Sequence, residues 1–323
     1  MEAVVLAGGY ATRLWPVTRH RAKPLLPLGG EPIVDRILRP LEEEPRIDTV
    51  HVSTNERFAD DFREHLDDRG YEKTRLVVES TREEDEKLGT VGALAELVES
   101  EGVDDDLLVI AGDNLFSFDI SGFVDYFEDR ATPCLAAYDV GSREEATEYG
   151  VVDIGGDGGD RVVGFEEKPA NPPTSLVSIA CYAFPAGSLG ALDSYLVGDG
   201  NPDAPGYFVE WLHERENVGA FTFDGAWFDV GTPGSYIDAN AYATDGSLVE
   251  EGATVRDTDV GDGVYVMDGA TVESSSLERT IVFDGATVRG SALRGSVVDS
   301  DAHIEGLDLS GALVGAHSRL DGS

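Results

Sequence analysis

The chain has 323 residues, with 63 Asp or Glu against 24 Lys or Arg, giving a formal net charge of −39. That length supports a full-sized core plus a smaller second unit without disulfide or metal staples, and acidity spread over the whole chain disfavours binding to nucleic acid or anionic lipid. A hydrophobic content of 41% in periodic segments excludes disorder and leaves a solvated acidic shell of the halophilic kind as the expectation.

The run "EAVVLAGG" is a short apolar stretch stopped by glycines and reads as a buried strand of a parallel sheet. Its end, Leu6, Ala7, Gly8 and Gly9, leads into a basic segment holding Thr12, Arg13 and Lys23. In "EPIVDRILRPLEEE", Pro32 takes the first position of an expected helix, with Ile33, Ile37 and Leu41 along one face. Strand and helix then alternate. "IDTVHVSTN", "TRLVVES" and "DDLLVIAGDN" read as strands, and "ERFADDFREHLDDRG" and "TVGALAELVESEG" as helices closed by Gly70 and Gly102. This rhythm predicts an α/β fold, with helices on both faces of a mixed, mainly parallel sheet.

Beyond Arg130, "TPCLAAYDV", "YGVVDI", "RVVGFEEK" and "VSIACYAF" are strands without long crossover helices, so they extend the sheet in antiparallel or mixed fashion. "GYFVEWLHERE" reads as a helix, "GAFTFDGAWFDVG" as a strand pair, and "PGSYIDANAYATDG" as the helix that closes a first domain, 1–245. Residues 246–323 are rich in Gly, Val, Asp, Ser and Thr and repeat with a step of 16: Val266, Val282, Val298 and Val314; Val272, Val288, Ile304 and Leu320; Leu277, Leu293 and Leu309. Three inward aliphatics per coil predict a triangular prism, a short parallel β-helix of about four turns.

Cys134 and Cys181 have no CxxC spacing and are expected to be core thiols in a reducing cytoplasm. No apolar run reaches the ~18 to 20 residues of a membrane span, and "MEAVVLAGG" lacks the positive flank of a signal peptide, so a soluble protein is expected. Lysine is scarce. Only Lys23, Lys73, Lys87 and Lys168 occur; Lys73 and Lys87 read as surface residues, and the other two fall in motifs.

In open α/β sheets ligands bind outside the carboxyl ends of the strands, where Gly8 and Gly9 let backbone N–H groups approach a polyphosphate and Arg13 offers a fork of donors to its oxygens. The segment is neither a GxGxxG turn nor a GxxxxGK[ST] loop. "LAGGYATRLWPVT" with "AKPLLPLGG" resembles the signature of the sugar-1-phosphate nucleotidyltransferases, and "LGTVGAL", "AGDNLF", "EYGVV", "FEEKP" and "WFDVGTP" continue the resemblance in order over residues 1 to 240. The coils resemble the left-handed β-helix of long-form members. The resemblance implies a Rossmann-like three-layer catalytic domain. Leu6, Ala7, Gly8, Gly9, Thr12 and Arg13 would hold the nucleoside triphosphate, with Lys23 at the α-phosphate and departing pyrophosphate and Gly89 at the base. Asp113 and Asp229 would share Mg2+. Gly150, Glu167, Lys168 and Tyr182 would take the sugar phosphate, with Arg13, Lys23, Asp113 and Lys168 closest to the chemistry.

Three departures accompany the resemblance. Ala11 replaces a usual glycine, and its methyl disfavours positive φ. Ala180 stands where a glycine is common. The run "TREEDEK" lacks the glutamine with which several thymidylyl- and uridylyltransferases read the base. The chemistry fits the charges, because in-line phosphoryl displacement needs no protein nucleophile, only two anions brought together and neutralised. Glu166 and Glu167 are adjacent on a strand and face opposite sides, so one enters the pocket, taken as Glu167. Asp113 could instead be a solvated turn residue, Asp229 a helix cap and Lys168 an exposed strand end, while Trp15 and Trp227 read as packing residues.

The expected reaction is glucose-1-phosphate with dTTP or UTP, the alternative mannose-1-phosphate with GTP. A regulatory subunit of the same fold and acyl transfer on the coils through His303 or His317 are further readings. The coils are expected to provide an assembly surface for a homo-oligomer.

Overall fold

The computed structural model describes residues 1–81, 88–156, 158–198 and 200–322. Lys87 and all but Thr81 of the acidic run 81–87 lie outside the described residues. The chain forms two compact units, Met1–Gly9 with Ile37–Trp227, and Tyr10–Arg36 with Phe228–Ser323.

The first unit is built on a nine-stranded sheet. Strand Glu2–Leu6 lies parallel between Thr49–Asn55 and Leu107–Ala111, and Thr74–Glu79 continues the parallel half. These strands are apolar along their length because both faces are covered, with Val4, Val5, Val50, Val52, Val109 and Ile110 fully buried. From Leu107–Ala111 outward the sheet turns mixed: Leu176–Phe184 pairs antiparallel with it and with Cys134–Asp139, and Gly219–Thr222 runs parallel to the latter. Arg161–Glu167 and Gly150–Gly155 complete the edge as an antiparallel pair. The helices Ala59–Arg69 and Thr90–Glu101 end on left-handed Gly70 and Gly102, as their sequences predict. Cys134 and Cys181 are buried and free, and burial pushes both thiols up, Cys134 to about 12.

Several local expectations are corrected. Pro32 does not open a helix; it pairs in a hairpin with Pro27, and the helix runs over Asp35–Glu43. "GAFTFDGAWFDVG" is not a strand pair, because Gly219–Thr222 joins the large sheet and Trp227–Asp229 belongs to a separate two-stranded sheet. The helix Gly190–Val197 was not anticipated; two glycine-containing flanks mask its periodicity. Trp15 is 45% exposed and is not a packing residue.

In the second unit, the described residues from Ser247 onward form three parallel sheets of five, five and four strands, the left-handed parallel β-helix expected of the fold. The columns keep the predicted register, Val266↔Val282↔Val298↔Val314 and Val272↔Val288↔Ile304↔Leu320. The first coil is one residue longer, since Val255 pairs with Val272 and Val260 with Leu277. The column side chains pack with Ala270, Ala286 and Ala302 into one apolar cluster, except Leu320, expected to point inward, which lies in the last strand with no further coil to cover it and is 37% exposed.

Candidate active site

In the first unit, the parallel strands deliver their carboxyl ends to one edge. Ala7 N–H donates to Ser53 O at 2.7 Å, and Asn55 Nδ2 donates to Gly8 O at 2.8 Å, fixing the turn that follows Glu2–Leu6. On the neighbouring strand Gly112 N–H donates to Leu6 O at 2.8 Å. A Cβ on Gly112 would sit 2.9 Å from that same oxygen, so only glycine lets the following Asp113 lie this close to the start of the Gly8–Gly9 turn. Asp113 is half-buried, and its Oδ1 accepts from Asn114 Nδ2 at 3.0 Å. Asn114 Oδ1 in turn accepts from Trp227 Nε1 at 2.6 Å. Asp113 is therefore a half-buried turn residue whose carboxylate is oriented by its neighbour, and Trp227 packs through a polar tip as well as its ring.

Sequence reasoning missed Glu79. It ends the strand Thr74–Glu79, accepts from Ser53 Oγ at 2.8 Å, and places Oε1 2.8 Å from where a Cβ of Gly8 would stand. Burial raises its pKa above the ordinary 4.5, with the Ser53 hydrogen bond opposing. A carboxylate directly after the apolar run Leu76–Val78, at the carboxyl end of a strand, was the available signal. Gly89, at φ 77, caps the helix Thr90–Glu101, whose Val91 N–H donates to Pro202 O at 2.9 Å.

A second cluster surrounds Glu167. A Cβ on Gly150 would lie 2.7 Å from Glu167 Oε2, and one on Gly206 would overlap the same oxygen, so two glycines make room for one carboxylate. Burial raises the Glu167 pKa above 4.5, Lys168 opposes this and Glu210 adds to it. Glu166, its neighbour on the strand, is exposed. Lys168 is exposed and left-handed at φ 50, its N–H donating to Tyr149 O at 3.0 Å. Tyr182 is 4% exposed, its hydroxyl shares a 3.3 Å hydrogen bond with Ser178 Oγ, and burial pushes its pKa far up. Between them Ala180 is left-handed at φ 54, where the register of Leu176–Phe184 slips.

In the second unit, Thr12 and Arg13 are exposed in a short helical turn and Lys23 is 9% exposed. Arg13 and Asp229 converge: a Cβ on Gly231 would stand 3.0 Å from Arg13 Nη2 and 3.2 Å from Asp229 Oδ2. Asp229 is not a helix cap. That role falls to Thr232, whose side chain accepts from Ser235 N–H in a capping box. The expectation that Ala11 avoids positive φ is overturned, since it sits at φ 49. Its carbonyl accepts from Thr18 Oγ1 at 2.8 Å and from Leu14 N–H at 3.0 Å, and these bonds offset a strain of about 1–2 kcal/mol.

Asp113 in the first unit and Asp229 in the second are each carboxylates of the hard oxygen class that Mg2+ takes, alongside water and substrate phosphates. Within the first unit the Trp227–Asn114–Asp113 chain orients Asp113 from behind. Among the described residues, a grouping of three side chains able to hold a metal is His303, Glu305 and Asp321 on the coils, where Arg319 already occupies Asp321 at 2.9 Å.

The nucleotidyl transferase family model matches residues 2–246. A "Putative mannose-1-phosphate guanyltransferase" of Sulfolobus acidocaldarius is 27% identical over 87% of this chain and 76% of its own length. A "Glucose-1-phosphate adenylyltransferase" of Thermotoga maritima is 31% identical over 74% of this chain, which spans 59% of that relative. The crystal structure of a "Putative Glucose-1-Phosphate Thymidylyltransferase" from Bacillus anthracis superposes with a TM-score of 0.66 at 25% identity, covering 77% of this chain and 98% of its own.

Proposed function

The chain belongs to the nucleotidyl transferase family, and from that premise we propose that it joins a nucleotide to a sugar-1-phosphate, releasing pyrophosphate. A phosphate oxygen of the sugar-1-phosphate bonds to the α-phosphorus of the triphosphate as the bond from that phosphorus to the pyrophosphate oxygen breaks. The carrying observation is the strand edge at which Gly8, Gly112 and the oriented Asp113 meet. In this reading the backbone of Leu6 to Gly9 and the cations Arg13 and Lys23 hold the triphosphate, and Gly89 lies at the base. Glu167 accepts sugar hydroxyls beside Gly150 and Tyr182, and Lys168 neutralises the sugar phosphate. Asp113 and Asp229 hold Mg2+, which when bound spreads the charge of the phosphates. The domain division 1–245 and 246–323, a high-salt cytoplasm and a homo-oligomer assembled through the coils belong to the same proposal.

Two substrate pairings compete: glucose-1-phosphate with dTTP or UTP, and mannose-1-phosphate with GTP. Taken as a base contact reaching in from the Gly8 edge, Glu79 favours the second. An ionised carboxylate only accepts hydrogen bonds, and guanine offers N1–H and N2–H side by side, whereas thymine and uracil flank a single N–H with two carbonyl oxygens that a carboxylate would repel. The test is pyrophosphate release in high salt over a matrix of five nucleotides against glucose-, mannose-, galactose- and N-acetylglucosamine-1-phosphate. Turnover concentrated on GTP in the wild type, shifting toward dTTP or UTP in Glu79→Gln, is expected. Turnover on dTTP or UTP in the wild type returns the assignment to the first pairing, and silence across the matrix leaves the regulatory subunit.

A further inference from the structure

The basic segment Tyr10–Arg36 packs with Phe228–Ser323 in one compact unit. Its attachment is specific. Arg21 Nη1 meets Asp299 Oδ1 at 3.1 Å, Arg21 Nη2 donates to Ser300 Oγ at 3.3 Å, and the guanidinium lies 4.8 Å from the centre of the Phe283 ring. Asp299 is 3% exposed and Phe283 1%, so the partners belong to the wall of the β-helix, 278 residues from Arg21 in sequence. On one side of Arg21, Pro16 lies against Gly315, where an added Cβ would come within 2.8 Å of Pro16 Cγ. On the other, Tyr236 Oη donates to Pro27 O at 2.6 Å, and buried Asn240 accepts from Gly29 N–H while donating to Gly263 O, each at 3.3 Å.

Lys23 stands between the Arg21 anchor and the Pro27–Gly29 anchor, and Arg13 precedes Pro16. We infer that the β-helix is the template that sets the conformation of this cationic segment, and that Asp299 is a positioning residue acting through Arg21 on Lys23 and thereby on the nucleotide's phosphates. The inference rests on the nucleotide-binding role proposed above. The physical reason is that a part-buried ion pair with its guanidinium over a ring restricts the segment to few geometries, whereas a basic segment without it would spread over many, and displacements of about 1 Å are costly to reactions that depend on alignment. Removing the Asp299 charge leaves Arg21 without its buried partner, and the guanidinium is free to turn to solvent.

The experiment uses the full chain and four variants: Asp299→Asn, Asp299→Glu, Phe283→Leu and Gly315→Ala. Calorimetry with Mg-GTP and with Mg-dTTP gives nucleotide affinity, pyrophosphate release gives KM for each substrate, and circular dichroism gives the fold and Tm. Asp299→Asn and Gly315→Ala should each weaken nucleotide binding about three- to tenfold and leave KM for the sugar phosphate within about twofold, while Asp299→Glu recovers most of the loss. If Asp299→Asn fails to fold, Phe283→Leu and Gly315→Ala carry the comparison. Variants with unchanged nucleotide affinity, or with both KM values unchanged and kcat falling with Tm, overturn the inference while wild-type turnover keeps the proposed reaction. A wild type that binds nucleotide without turnover removes the reaction, and the affinity series then decides the inference alone. A wild type that binds neither nucleotide overturns both.

Discussion

Glu167 carries opposed demands in one side chain. Packed between Gly150 and Gly206, its carboxylate is desolvated and its pKa lies above 4.5, yet the proposed role of accepting sugar hydroxyls needs the ionised form. As pH falls, Glu167 takes up its proton earlier than an ordinary glutamate, so the acid limb of kcat/KM for the sugar phosphate should fall above pH 4.5. Stability runs the other way. Between 4.5 and the raised value the folded state binds the extra proton, so its stability increases as pH falls through that window and is lower above it. Glu167→Gln should therefore flatten the acid limb and raise KM for the sugar phosphate more than KM for the nucleotide, with Tm at pH 8 unchanged or higher. Equal effects on the two KM values would remove Glu167 from the sugar site. Ala11, Lys168 and Ala180 belong at this scale too: each non-glycine residue is left-handed, at φ 49, 50 and 54, and held there by its surroundings at about 1–2 kcal/mol apiece.

At the scale of elements, the β-helix is a stack in which no coil buries its own interior. Leu293 pairs with Leu277 on one side and Leu309 on the other, and it is 2% exposed. Leu293→Ala opens a cavity between two neighbouring coils and should destabilise the protein by about 2–5 kcal/mol. Chemical denaturation followed by circular dichroism reads this; a loss under about 1 kcal/mol would mean that the coils close over the gap. The step of 16 was legible because each inward aliphatic meets its counterpart one coil away, so the register is written directly in the sequence. Gly190–Val197 was not legible, since its buried Leu192 and Tyr195 are too few to mark a helical face.

For the whole molecule the dominant electrostatic fact is a net charge of −39 over 323 residues. Individual pairs such as Arg46 with Glu44 at 2.7 Å stabilise locally, and salt weakens them, but the repulsion summed over the excess acid is larger and salt weakens that as well. Raising KCl from about 0.1 M to about 1 M shortens the screening length from about 10 Å to about 3 Å and should raise Tm. A Tm that stays flat or falls in a scanning calorimeter would show that the paired charges outweigh the repulsion.

The sequence by itself determined most of the strands of the large sheet, the helices closed by Gly70 and Gly102, the coil register and the family, because apolar periodicity, glycine placement and motif spacing are local properties of a chain. Only the tertiary structure decided that Glu79 stands beside Gly8, that Glu167 lies between Gly150 and Gly206, that Ala11 is left-handed, and that Arg21 is anchored on Asp299. Those relations join residues far apart in the chain or are imposed by contacts from elsewhere, and a partner 278 positions away leaves no period, cap or turn by which the sequence could announce it.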